Sequence, residues 1–149
     1  MKSLTLYSCA LGAVYEVFGV LSLCNWVLQA LLGGTGLLEE MVPGDIGLAV
    51  VLLSVGLSLM AAAYYYTHRD HIRTQACMLV GSGLGAAALL MQLLATLAAY
   101  LDGFVVGEIL AIHEVATMLL RVDSLLGALL LPLLVASIRL VRASTAKAS

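Results

Sequence analysis

Few side chains in this sequence can do chemistry, and most of them sit in apolar surroundings. Glu16 lies inside an apolar segment, with Tyr15 before it and Phe18 after it. A carboxylate there is costly to ionise, so it is expected to be protonated or paired. Three roles fit it. It is a proton-coupled or cation-binding carboxyl, an interfacial residue close to the chain start, or a packing hydrogen-bond donor to a neighbouring subunit. Asn25 and Gln29 stand four apart on another face of the same segment, and Gln92 lies midway along the third apolar run. Each can hydrogen-bond across a helix bundle, as packing glue or as lining for a ligand.

Glu108, His113, Glu114 and Arg121 form a second group. They suggest a carboxylate–imidazole cluster and are the only groups on which a membrane enzyme could draw. The spacing is neither HExxH, since no second His follows His113-Glu114, nor the Glu-x-x-His of di-metal bundles. His68 and His71 flank Arg69 and Asp70, but Arg69 and Arg73 repel a cation, so the run reads as a basic loop. Cys9, Cys24 and Cys77 are scattered in apolar segments without a CxxC and read as small buried hydrophobes. Gly81-Ser82-Gly83-Leu84-Gly85 lacks the glycine spacing of a nucleotide loop, and no strand leads into it. The sequence therefore predicts no cofactor and no nucleic-acid partner.

The elements that position these residues follow from composition. Of the 149 residues 62% are hydrophobic and 11% charged, with a mean hydropathy of +1.08. Soluble domains carry about 25% charged residues. Such a chain belongs in lipid, where only helices and closed barrels satisfy the backbone. Charge-free runs cover Val17–Leu38, Ile46–Thr67, Thr74–Leu101 and Ser124–Ile138, of 22, 22, 28 and 15 residues. They exceed the roughly 9–11 residues of a barrel strand and are rich in helix-forming Leu and Ala. The first three reach the roughly 20 residues of a spanning helix. The fourth does so with its flanks, Arg139 and Arg142 snorkelling to the headgroups.

Charge sorts the connections. Lys2, the 68–73 loop and the tail carry six Lys/Arg and one Asp; residues 33–45 and 102–123 carry seven acidic residues and one Arg, Arg121. By the positive-inside rule the expectation is four spans with both termini cytoplasmic, in the plasma membrane. Asp45 suits a helix N-cap, Asp102-Gly103 should end the third helix, and Pro132 should kink the fourth. On a helical wheel His113, Glu114, Thr117 and Arg121 oppose Ile109, Ile112, Val115, Leu119 and Val122. Residues 104–123 are thus expected to form an extra amphipathic helix on the outer surface before the last span. The predicted fold is an all-α, polytopic four-transmembrane-helix bundle forming a single domain.

Small residues must let such helices approach, because apolar area gives no drive in lipid. The third span offers Gly81, Gly85, Ala88, Gln92, Ala95 and Ala99. The second offers Ser54 and Ser58, and the first Gly12, Glu16 and Gly19 on one face. Tyr64-Tyr65-Tyr66 reads as a headgroup anchor, with a lipid or quinone contact as the sharper alternative.

The run Tyr7 to Gly19, YSCALGAVYEVFG, resembles the first helix of the small multidrug resistance transporters. That family carries a functional Glu there, so the resemblance implies a functional Glu16. It covers about a tenth of the chain, and the 102–123 segment and the 149-residue length depart from that compact family.

Two function classes follow. The first is an accessory or structural subunit of a larger membrane complex, partnered by lipids and by other membrane subunits or further copies of itself. It rests on the lack of a complete catalytic constellation and on the small-residue seams. The second is a small proton-coupled transporter, or a binder of a hydrophobic or cationic ligand, worked by Glu16 with Asn25, Gln29 and Gln92.

Overall fold

The computed structural model describes residues 2–34, 42–106, 115 and 118–145. They form four long helices: α1 (Lys2–Leu32), α2 (Ile46–Thr67), α3 (His71–Val106) and α4 (Val122–Thr145). All four are long and apolar enough to cross a membrane. The chain is a small, all-helical, polytopic membrane protein.

Local chemistry sets the ends of these helices. Gly33, at φ 61°, follows the end of α1 in the left-handed conformation that glycine adopts without a Cβ penalty. Asp45 caps α2, its carboxylate accepting from the Leu48 amide at 3.0 Å. The turn from α2 to α3 is shorter than the sequence suggested, because His71, Ile72 and Arg73 already belong to α3. Arg69 sits at φ 60°; its amide donates to Tyr66 O at 3.1 Å, and the Asp70 amide donates to Tyr65 O at 3.0 Å. That pair of bonds is a Schellman closure, here with arginine at the position glycine usually takes. Asp70 then caps α3, accepting from the Arg73 amide at 3.1 Å and pairing with the Arg73 guanidinium at 3.3 Å.

α3 runs through Asp102-Gly103 instead of ending there. A glycine inside a helix costs about 1 kcal/mol, too little to stop a helix whose next residues, Phe104 and Val105, are helical and apolar. α4 likewise continues through Pro132. Among the described residues no separate amphipathic helix is distinguished before α4. Residues 104–106 belong to α3, residues 122 and 123 to α4, and Glu108, His113, Glu114 and Thr117 lie outside the described residues.

Neighbours in sequence are neighbours in space, and they run antiparallel. α1 packs on α2, α2 on α3 and α3 on α4, whereas α1 and α4 meet over only a short stretch. Gly12 lies against Gly56 and Leu59, and Gly19 against Leu53. Gly81 faces Leu59 and Ser58, and Gly127 faces Leu89. The core holds Leu11, Tyr15, Leu52, Val55, Leu59, Leu126, Leu130 and Leu133. Several buried hydroxyls bond to backbone carbonyls, as Ser8 does to Leu59 O at 3.2 Å and Ser22 to Pro43 O at 2.8 Å, so these two hydroxyls carry no polar penalty.

The helices differ in length. At about 1.5 Å per residue α2 is about 33 Å long, matching a hydrocarbon core of about 30 Å, while α3 is about 54 Å. The far third of α3 therefore outruns α2, and Leu93, Leu94, Leu97, Leu101, Phe104 and Val105 are exposed.

Candidate functional site

Gly12, Glu16 and Gly19 recur at four- and three-residue steps, which puts them on one face of α1. That face meets α2. Glu16 is halfway along α1, and its carboxyl lies against Gly56, halfway along α2. A Cβ built on Gly56 would come within 2.7 Å of Glu16 Oε1. The glycine is thus what leaves room for the carboxyl between two backbones. Glu16 Oε1 is buried and has no hydrogen-bond partner among the described residues. An acid oxygen enclosed without a partner has lost its hydration and gained nothing in exchange. Tyr15, next to it, turns instead into the core, and its hydroxyl approaches Gly85 of α3.

Asn25 and Gln29 are engaged elsewhere. Asn25 is fully buried, and its Nδ2 donates to Val42 O at 2.7 Å. Gln29 Oε1 lies beside Gly44. With Ser22, which bonds to Pro43 O and Asp45 O at 2.8 and 3.2 Å, these residues tie α1 to the segment leading into α2. The arrangement fixes the α1–α2 connection and places neither amide beside Glu16.

Gln92 lies in a groove of about 470 Å³ between α2 and α3, lined by Leu48, Val51, Ala88, Met91 and Ala95 and reached by Asp123 of α4. The Asp123 side chain is only 10% exposed; Oδ1 accepts from the Ser124 amide at 2.9 Å and stands 4.0 Å from Arg121 Nε. The groove joins an amide and a carboxylate to an apolar wall, which suits a small ligand with one polar or cationic end. Of the cluster expected around Arg121, Glu108, His113 and Glu114 lie outside the described residues.

The candidate residues thus separate into three places: Glu16 in the α1–α2 interface, Asn25 and Gln29 at the α1–α2 connection, and Gln92 with Arg121 around Asp123. Two important residues were not singled out from sequence. Gly56 carried a usable signal, a lone glycine at the centre of an apolar span. Asp123 carried none, because its nearness to Gln92 depends on how α3 and α4 pack. Compared with known proteins, the chain matches no family model, no curated protein and no solved structure.

Proposed function

We propose that this chain is a small proton-coupled transporter, or a membrane binder of apolar cations, in which Glu16 is the coupling carboxyl. One observation carries the reading: a buried carboxyl oxygen without a partner, held by Gly56 halfway along two spanning helices. Intramembrane acids are costly and tend to mark ion or proton pathways. A proton and a cation compete for one such carboxylate, which couples their binding. The likeness of residues 7–19 to the first helix of the small multidrug resistance transporters supports the same role. The basic bias of Lys2, Arg69, Arg73, Arg139, Arg142 and Lys147 supports cytoplasmic termini in a plasma membrane.

The test uses the full chain in liposomes with tetraphenylphosphonium, an apolar monovalent cation, measured across pH. Glu16→Gln keeps the shape and removes the titration. It should fold, and it should lose the pH dependence of binding or uptake. PH dependence equal to wild type in the glutamine variant would remove the role. If Glu16 is only packing glue, Glu16→Gln is silent and Glu16→Ala weakens the α1–α2 pair.

A second reading, an accessory subunit or homo-oligomer, is favoured by α3. Only 11% of its apolar window is buried, against 33% in each of the other helices. Isolation in mild detergent separates the two: a stoichiometric set of other subunits favours the second reading.

A further inference from the structure

The seam between α1 and α4 is the least closed of the bundle. Tyr7 bridges it, its hydroxyl donating to Leu129 O at 2.7 Å. Beside that bridge lies an open groove of about 790 Å³. Ala128, Leu131, Pro132, Val135 and Ala136 of α4 line it together with Leu4 of α1. The lining is hydrocarbon except at one end, where Arg139 enters. Arg139 is exposed, and its guanidinium makes no ion pair or hydrogen bond among the described residues. Arg142, one turn further on, is already engaged.

We propose that this groove binds one anionic phospholipid, with its phosphate on Arg139 and an acyl chain along α4 toward Ala128. Three features select that occupant. Charge is complementary, since a lone guanidinium in a fork geometry suits a phosphate. Polarity is matched, with one cationic end and hydrocarbon for the rest. The length fits as well. Eleven helical steps separate Ala128 from Arg139, about 16 Å at about 1.5 Å per residue. That is close to half of a hydrocarbon core of about 30 Å, the depth of a single leaflet. Arg139 also lies at the end of the bundle shared by Lys2 and the 68–70 turn, the basic end that an anionic headgroup favours.

The experiment is native mass spectrometry of the purified full chain in detergent, titrated with dioleoylphosphatidylglycerol or dioleoylphosphatidylcholine. One phosphatidylglycerol should bind in preference to phosphatidylcholine. Arg139→Gln should weaken phosphatidylglycerol about five-fold, the loss expected for one basic residue at an anionic headgroup, and should weaken phosphatidylcholine less, because the choline ammonium already offsets the charge of its phosphate. Arg139→Lys should keep most of the preference, and Arg142→Gln should change little. Ala136→Phe, which fills the groove, should reduce both lipids. The arginine variants carry the test because Arg139 is exposed and its replacement leaves the core intact. Equal binding of the two lipids would overturn the proposal. So would equal losses in Arg139→Gln and Arg142→Gln, which would mean a diffuse basic rim. A dimer dissolved by Ala136→Phe would also overturn it, assigning the groove to a second copy of the chain.

Discussion

A methyl group placed on Gly85 tests whether α3 and α4 meet as closely as the structure has them. A Cβ at this position would collide with Leu130 Cδ1 and lie 3.3 Å from the Tyr15 hydroxyl. Leu130 and Tyr15 are 0% and 2% exposed, so neither has free space to retreat into. Gly85→Ala gains about 1 kcal/mol of helix propensity. Overpacking a tight core costs about 1–3 kcal/mol, and with Leu130 enclosed the upper end applies. The net expectation is a loss of about 2 kcal/mol, with Gly85→Leu worse. Leu130→Ala alone leaves a cavity. In water that costs about 2–5 kcal/mol, and in lipid, where transfer gives little drive, about 2. Together, the new methyl enters the space Leu130 vacates. The double variant should then lose about 1 kcal/mol, where independent effects would sum to about 4. Reversible denaturation in mixed micelles, run as a double-mutant cycle, measures that coupling. Additivity to within about 0.5 kcal/mol, or a Gly85→Ala variant as stable as wild type, would refute the close contact.

Other substitutions read single features. Arg69 occupies the left-handed region at φ 60°, so Arg69→Gly should raise stability by about 1 kcal/mol in the same assay; an unchanged or lower value would mean that the arginine side chain offsets the strain. Asn25→Leu removes the donor to Val42 O and leaves that carbonyl unpaired. It should cost about 1–3 kcal/mol and speed proteolysis at 42–45, and a silent variant would show that the α1–α2 connection is held by other bonds. Orientation is read by single cysteines in a cysteine-free background. Ser149→Cys should react only from the cytoplasmic side and Thr35→Cys only from outside, and labelling of both from one side would exclude the four-span arrangement.

The four long apolar helices and membrane residence were legible in the sequence because both depend on local composition. A run of about 20 apolar residues in lipid must satisfy its own backbone, and the helix is the available way to do so. The caps were legible in part for the same reason. Asp45 acts on an amide three residues away. The Gly12–Glu16–Gly19 face was legible because helical periodicity decides it. Its partner was not, since any of the other spans could have met that face. Local rules also misjudged Asp102-Gly103, where a helix penalty of about 1 kcal/mol is outweighed by the apolar residues beyond. The pairing of Glu16 with Gly56, the groove that Gln92 and Asp123 both line and the gap between α1 and α4 belong to tertiary structure alone. Each depends on the relative rotation and offset of two helices. In lipid those are set by which small residues let backbones touch, a summed steric fit over both surfaces that no single segment contains.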